Sequence, residues 1–301
     1  MAEAARRLRR ATRTTSVLEL GSLLTQFLNG ATLVSVLILI SIGLAIIFGV
    51  MGVINLAHGE FFILGAYTVI AADALGLSAW WGIALAPLVV GLFGALVEVG
   101  LIRFLYKRPL ETLLATWGLS IVIRQLVRIV FGVGYRASPH PLLGDLKVFG
   151  FTYPIYRVFL MAVCLAVIVI TFYVFYRTDF GLKIRAITQD VEMAAALAIN
   201  TSRVYLGTFA FGSALAGLAG ALMTPEITIS PEAGVNFLAR SFFVVILGGI
   251  GQLAGVLGGA LVVGELETFL SYLISATTAQ AAVLLIAIVI IRFRPRGLFG
   301  G

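Results

Sequence analysis

The stretch GVINLAHGE (residues 52–60) places an asparagine, a histidine and a glutamate between two apolar segments. A long apolar run precedes it, and FFILGAYTVIAADAL (residues 61–75) follows it at once. This break is barely long enough to be a loop. It is therefore either an ordinary surface turn or a polar segment inside a membrane, and the rest of the chain decides which.

The composition indicates that a lipid bilayer surrounds most of the chain. Of its 301 residues, 60% are hydrophobic and 12% are charged, and the mean hydropathy is +1.08. Soluble domains have about 25% charged residues, so this chain lacks most of the surface that water requires. A bilayer-spanning backbone must satisfy its own hydrogen bonds, and long continuous apolar runs do so as helices. The sequence predicts an all-α polytopic membrane protein.

The apolar segments predict about eight to nine transmembrane helices, some of them broken. The segment 238–251 is short and ends in GGIGQ, so we expect a half-helix or a re-entrant piece there. A basic tail over residues 1–22 precedes a single transmembrane domain over residues 23–301. The predicted segments are 27–50, 56–75, 80–102, 112–131, 158–176, 205–224, 238–251, 253–273 and 278–292.

Basic residues predict the orientation, because cytoplasmic loops are enriched in lysine and arginine. The residues that mark inside ends are Arg103, Lys107 and Arg108, several in 177–203, and Arg292, Arg294 and Arg296. Segments 132–157 and 225–237 are predicted to be outside. Counting spans back from Arg103 places the N-terminus outside, although its first fifteen residues carry five arginines. Either the tail lies on the outer surface or one early segment does not fully cross.

Several functional classes lack their required residues. The three lysines do not follow a GxxxxG, so the chain has no Walker A loop for ATP hydrolysis. Cys164 is the one cysteine, and His58 and His140 are the only histidines, so a disulfide framework and a metal site are not expected. The net charge of +7 lies at segment ends, which favours a membrane partner over nucleic acid. We expect no catalytic residues and no cofactor.

The segment TDFGLKIRAITQDVEMAAALAINTSR (residues 178–203) has the features of two short helices between spans. Thr188 and Asp190 can each cap a helix, and EMAAALA contains strong helix formers. Asn200 is expected to tolerate a left-handed stop, with Thr201 or Ser202 capping the next helix. The segment is either a docking element for a partner or an interfacial connector.

EMAAALAIN (residues 192–200) resembles the EAA coupling loop of ABC-importer permeases, in which a short helix sits in a cleft of the ATP-binding subunit. The match is loose, and Ala198 stands where glycine is common in the family. The resemblance implies that this segment couples the chain to an ATPase. The residues predicted to do so are Arg185, Asp190, Glu192, Ala194, Ala195, Ala196 and Asn200.

Further blocks resemble the branched-chain amino acid and urea group of ABC-importer permeases. They include GVINLAHGEFFILGAY, TDFGLKIRAITQD, FAFGSALAGLAGAL, VVILGGIGQLAGVLGGALVVG and the ending RFRPRGLFG, and they cover most of residues 45–301. Two stretches look most like the urea permease, namely RPLETLLATWGLSIVIRQLVRIVFG (residues 108–132) and GGIGQLAG (residues 248–255). The resemblance implies a bacterial inner-membrane subunit with a second homologous permease, two ATP-binding subunits and an extracytoplasmic solute-binding protein.

The substrate and the energy source stay open at this point. Inward transport of urea is the favoured interpretation, and a permease for branched-chain or other hydrophobic amino acids is the alternative. A remoter alternative is an ATP-independent channel or secondary carrier. That alternative predicts carboxylates that bind coupling ions and an inverted repeat, and no convincing repeat is present.

Polar residues inside the spans are candidates for the translocation pathway, because a charge at the bilayer centre costs at least ~2.5–3.5 kcal/mol. Glu98 can pair with Arg103, Arg128 can reach the outer surface, and Glu265 and Glu267 are ambiguous. Alternatively, residues 52–60 form a tight inner turn with Asn55 as its cap. The pathway candidates are Asn55, His58, Glu60, Thr116, Ser120 and Arg124.

Glycines recur every four residues in GQLAGVLGG, at Gly251, Gly255 and Gly259. Small residues at this spacing allow two helices to pack closely in lipid. We therefore expect these three glycines to lie along one face of a helix that packs against another.

Overall fold

The computed structural model describes residues 2–106, 108–148, 151–249, 251–294 and 297–298, excluding the side chains of residues 2–20, 22 and 151. The side chains of the predicted basic tail, Lys107, and Arg296 of the predicted inside end therefore lie outside the described residues. The helices in the described residues are α1 (Ala2–Met51), α2 (His58–Ala74), α3 (Ala79–Gly100), α4 (Pro109–Phe131), α5 (Ile155–Arg177), α6 (Asp179–Gln189), α7 (Val191–Ala196), α8 (Thr201–Met223), α9 (Ala233–Gly248), α10 (Leu253–Leu273) and α11 (Ala276–Phe293).

Seven of the helices in the described part of the chain are long and apolar enough to cross a membrane. They are α3, α4, α5, α8, α10, α11 and the part of α1 from Leu23 to Met51. The prediction of an all-α polytopic membrane protein is confirmed. Two further apolar helices are shorter, since α2 has 17 residues and α9 has 16.

α8 lies at the centre of the fold, packed against α1, α2 and α3. Small residues on α8 and on its neighbours permit these crossings. A Cβ on Gly43 of α1, for example, would lie 2.5 Å from the carbonyl oxygen of Gly212 on α8. A Cβ on Gly217 would lie 2.6 Å from the Cβ of Val90 on α3. Lipid provides no hydrophobic drive for helices to associate, so close backbone approach supplies the packing energy through van der Waals contact.

The two ends of α1 define the two faces of the protein. At one end, Gln26 donates a hydrogen bond to the Thr268 carbonyl at 2.7 Å, and Thr32 lies 2.9 Å from the Tyr153 hydroxyl. At the other end, Val50 borders a cavity of about 220 Å³ that α6 also lines. The Gln26 end is therefore opposite α6 and α7, and it is extracytoplasmic if those helices are cytoplasmic.

The segments predicted to be outside meet at the Gln26 end. β1 (Asp145–Val148) and β2 (Phe151–Pro154) form an antiparallel hairpin ahead of α5. Arg136 and Ile229 exchange two backbone hydrogen bonds, at 2.8 and 2.7 Å, which join segment 132–157 to segment 225–237. Both segments therefore lie on one face, as the positive-inside rule predicts.

The glycine prediction is correct in geometry for two of its three residues. A Cβ on Gly248 of α9 would lie 2.5 Å from the Gly255 carbonyl carbon of α10, and a Cβ on Gly259 would lie 3.0 Å from the Gly248 nitrogen. Gly251 instead lies in the turn before α10, with φ +80. Its placement on the helix face is wrong, because the chain must reverse there and only glycine adopts that φ without strain.

Candidate translocation and coupling sites

The break between α1 and α2 is built by its own polar residues. α1 ends at Met51, and Gly52 turns the chain with φ +64. The Asn55 side-chain carbonyl then accepts a hydrogen bond from the Ala57 N–H at 3.0 Å, which closes the turn that starts α2. Asn55 thus shapes the turn, but it does not cap α2, whose N-cap is Ala57.

His58 places the start of α2 within the depth of the membrane. Its Nε2 lies 3.0 Å from the Ile40 carbonyl oxygen on α1. Because a carbonyl only accepts, Nε2 carries the proton and Nδ1 is the acceptor of a neutral ring. Ile40 lies about three turns before the end of α1, or about 16 Å along its axis, so the chain re-enters the bilayer before α2 begins.

Thr116 of α4 joins this break to the neighbouring helix. Its hydroxyl accepts a hydrogen bond from the Leu56 N–H at 3.1 Å and is buried. Further along, Tyr67 of α2 packs against Phe131 of α4 with ring centroids 4.7 Å apart. The contacts advance along both helices together, so α2 runs parallel to α4 toward the Gln26 end of the protein.

Glu60, Ser120 and Arg124 form a buried ionic cluster between α2 and α4. The Ser120 hydroxyl donates to Glu60 Oε1 at 2.9 Å, and Arg124 Nε lies 3.2 Å from the same oxygen. Glu60 is 1% exposed and the Arg124 side chain 23%. Arg124, for which the sequence offered no partner, is therefore paired with Glu60, which lies 64 residues earlier in the chain.

Three polar atoms of the break have no hydrogen-bond partner among the described residues. They are Asn55 Nδ2, His58 Nδ1 and Glu60 Oε2, and all three are buried. An unsatisfied buried polar group costs about 1–3 kcal/mol, so such a set within six residues is unusual for a purely structural turn. One of these atoms is a donor and two are acceptors.

The predicted coupling segment forms two helices at the opposite end of α1 from Gln26. The Thr178 hydroxyl caps α6 by accepting from the Gly181 N–H at 3.3 Å. Asp190 caps α7 by accepting from the Glu192 and Met193 N–H groups, each at 2.9 Å. Thr188 does not cap a helix; its hydroxyl bonds back to the Ile184 carbonyl within α6.

The chain leaves α7 through Ala198, which has φ +61. This is the position at which the resembling family commonly has glycine, and the left-handed conformation explains that preference because glycine has no Cβ to clash. The expected left-handed stop at Asn200 is wrong. Asn200 is the cap of α8 and accepts from the Arg203 N–H at 3.0 Å.

The coupling segment carries exposed apolar side chains. Met193 is 59% exposed and Leu197 69%, and Leu182 and Val191 are also exposed. Of the residues predicted to contact an ATPase, Asp190, Glu192, Ala195, Ala196 and Asn200 are exposed. Two are not: Ala194 is buried, and Arg185 is half-buried because it donates to the Phe175 carbonyl and lies 5.7 Å from the Tyr176 ring centroid.

Glu98 pairs with Arg103, as its position in the sequence predicts. Arg103 donates to it at 3.0 Å, and the Tyr106 hydroxyl also donates to it. Burial and the hydrogen bond to Glu98 raise the pKa of Tyr106, whose ring packs edge-on against Tyr205 of α8 at 5.0 Å. The inner end of α3 is therefore tied to the start of α8.

Three further ion pairs lie toward the Gln26 end of the protein, and sequence reasoning missed each partner. Arg128 pairs with Glu232 across α4 and the α9 cap. Arg157 donates to Glu226 at 2.7 Å, and Arg240 lies 2.6 Å from Glu267. The sequence offered one signal, the two glutamates of segment 225–237, which contains no basic residue. Partners that lie 27–104 residues apart leave no local pattern in the sequence.

Comparison with known proteins settles the family. The match over residues 26–292 is to the family described as the branched-chain amino acid transport system / permease component. The chain belongs to this family. The permease is therefore a multi-pass membrane protein of an ABC-type transport family, and the prediction of a transport subunit rather than an enzyme agrees with this membership.

Relatives with curated names extend over nearly the whole permease. The high-affinity branched-chain amino acid transport system permease protein BraD of Pseudomonas aeruginosa is 31% identical, covering 92% of this chain and 95% of BraD. The permease protein LivH of Salmonella typhimurium is 29% identical over the same shares of both chains. Among solved structures, PsaBC from Streptococcus pneumoniae in complex with Fab has a TM-score of 0.49 and 12% identity, covering 88% of this chain and 94% of that chain.

These matches favour branched-chain amino acids, the alternative substrate class, over urea. The relatives are named for branched-chain amino acids, so the expectation of a urea permease finds no support in them. The two stretches that resemble a urea permease, residues 108–132 and 248–255, were too short to decide the substrate.

Proposed function

We propose that the permease is one of two homologous membrane subunits of an ATP-driven importer that moves branched-chain amino acids inward across the bacterial inner membrane. Two ATP-binding subunits dock on α6 and α7, and an extracytoplasmic binding protein delivers the solute to the Gln26 end. Family membership and the names of the relatives support the substrate class.

The observation that carries the coupling role is the exposed apolar surface of α7. Met193 and Leu197 project from a short helix that Asp190 caps, and exposed apolar side chains of this kind mark partner interfaces. The cavity of about 220 Å³ is lined both by Arg185 of α6 and by Val50 of α1. Movement of α7 on closure of the ATPases would therefore be transmitted to the break at 52–60 through the inner end of α1.

A pull-down tests this coupling role. We expect Met193→Asp with Leu197→Asp to abolish capture of the ATP-binding subunit, because both changes place charge in an apolar contact. Glu192→Lys with Ala195→Trp is expected to have the same effect. The matched control is Leu143→Asp, an 86% exposed leucine in the extracytoplasmic segment, which should leave capture unchanged. Normal capture by both double variants would contradict the docking role.

We further infer that the break at 52–60 lies on the solute path. Its three unpartnered atoms offer one donor and two acceptors to a polar solute within the depth of the membrane. Discontinuous helices commonly line transport sites for this reason. Three residues of α4 contact the break and would affect transport by fixing its position, namely Thr116, Ser120 and Arg124.

Uptake by the reconstituted importer tests this inference. Asn55→Asp keeps the side-chain oxygen that closes the turn and removes the Nδ2 donor, and it should lower leucine uptake while pull-down of the partner subunits stays normal. Ser35→Ala on α1 is the control, because its hydroxyl bonds only to the preceding turn, at the Ala31 carbonyl. Equal uptake by both variants would show that Asn55 only shapes the turn. Uptake by the chain without ATPases would instead favour a channel or secondary carrier.

A further inference from the structure

A second polar cavity lies at the extracytoplasmic end, away from the break. Its volume is about 340 Å³, at the lower end of the ~300–1,000 Å³ range of small-molecule sites. Residues from α1, α8 and α10 line it together with the start of α5. Its lining includes three apolar residues, Leu33, Met223 and Ile227, and the other lining residues are polar or charged.

Two buried carboxylates of the cavity lining each have an oxygen without a hydrogen-bond partner among the described residues. Glu226 is 5% exposed, and Arg157 binds its Oε2 at 2.7 Å while Oε1 has no partner. His140 Nδ1 lies 4.0 Å from Oε1, beyond hydrogen-bond distance. Glu267 is 8% exposed, with Arg240 at 2.6 Å from Oε1 and no partner for Oε2.

A buried carboxylate oxygen without a donor is costly, so it indicates a missing positively charged or hydrogen-bonding ligand. A primary ammonium group carries three donors and one charge, which matches two carboxylates that line one cavity. For a ligand carboxylate, the cavity presents the hydroxyl of Thr268 and the positive charge of Arg157. The three apolar lining residues are then available to the remaining part of the ligand.

We infer that this cavity is an extracytoplasmic binding site for a small zwitterionic amino acid with an apolar side chain. Glu226 and Glu267 receive its ammonium group, and Leu33, Met223 and Ile227 contact its side chain. The site would hold the solute between its release from the binding protein and its passage to the break at 52–60. The choice of solute rests on the proposed function, whereas the ammonium site rests on the two carboxylates.

Photo-labelling locates the ligand directly. The assembled importer, purified through a tag on this chain, is irradiated with photo-leucine, an amino acid with a diazirine in its side chain, and labelled peptides are mapped by mass spectrometry. We expect label on Leu33, Met223 or Ile227. Excess leucine should abolish the label, whereas 4-methylpentanoate, the same carbon skeleton without the ammonium group, should not.

Variants test the two carboxylates. We expect Glu226→Gln and Glu267→Gln each to lower labelling about tenfold or more, as for loss of a charge-assisted hydrogen bond. Glu265→Gln is the matched control, since Glu265 lies two residues before Glu267 and does not line the cavity. If either variant fails to assemble, the competition by 4-methylpentanoate still decides the requirement for the ammonium group.

The outcomes separate this site from the proposed function. No label at the cavity in an importer that takes up leucine would overturn the site and leave the function standing. Label at the cavity in an importer that does not take up leucine would support the site and overturn the function. Equal competition by leucine and 4-methylpentanoate, or unchanged labelling of both glutamine variants, would overturn recognition of the ammonium group.

Discussion

Removal of the Arg124 guanidinium should destabilise the permease by about 3–5 kcal/mol, the cost of leaving one member of a buried ion pair without its partner. Glu60 is 1% exposed, and Arg124 Nε lies 3.2 Å from its Oε1. In Arg124→Met the carboxylate keeps only the hydrogen bond from Ser120, at 2.9 Å. Methionine has a similar length and no charge, so the change removes the interaction with little loss of packing.

The same helix provides a matched control. Arg108 pairs with Glu111 at 3.0 Å, but their side chains are 64% and 54% exposed. A surface pair of this spacing contributes about 0.2–0.5 kcal/mol, because water already solvates both charges. Arg108→Met should therefore change the free energy of unfolding by about a tenth as much as Arg124→Met.

The free energy of unfolding can be measured by titration of the purified chain with sodium dodecyl sulfate in mixed micelles. The double variant Glu60→Gln with Arg124→Met should recover about half of the loss, since a neutral amide is cheaper to bury than an unpaired carboxylate. An Arg124→Met variant no less stable than Arg108→Met would refute the argument that this pair holds α2 against α4.

Three other expectations follow from local geometry. Ala198→Gly should stabilise the chain by about 0.5–1 kcal/mol, because relief of the left-handed strain exceeds the added entropy of the unfolded chain; a lower unfolding midpoint would contradict it. Gly217→Leu should prevent folding, seen as loss of the monodisperse peak in size-exclusion chromatography, whereas Gly118→Leu should be tolerated because nothing lies within 4 Å of a Cβ there. Hydrogen bonds from Arg128 lower the pKa of Glu232, so their stabilisation is present at neutral pH and is lost as the pH falls through that lowered pKa. Arg128→Gln should therefore flatten the acid limb of the melting temperature against pH, and an unchanged limb would show that other groups produce it.

The class of the protein and its spans could be predicted because they depend on local properties of the sequence. Apolar length decides whether a helix crosses the bilayer, and the segments predicted at 112–131, 158–176 and 253–273 agree with the observed helices to within a few residues. The cap at Asp190 could be predicted for the same reason, since the atoms it joins are two and three residues away.

Predictions failed where a local pattern fitted more than one conformation. Both Ala198 and Asn200 follow a short helix, and propensity favours asparagine for the left-handed position. The structure gives that conformation to Ala198 because Asn200 is needed as the cap of α8. The glycine repeat of GQLAGVLGG was likewise interrupted at Gly251, where reversal of the chain between α9 and α10 overrides the helical period.

The candidate sites depend on contacts between distant parts of the chain. From sequence, Asn55, His58 and Glu60 were a polar cluster and Arg124 an unpaired charge; folding pairs Arg124 with Glu60 and brings His58 to Ile40. The cavity beside Glu226 and Glu267 has no counterpart in any single stretch. Apolar length and helix caps act over a few residues and can be read from the chain, whereas the partner of a buried charge depends on how the helices pack.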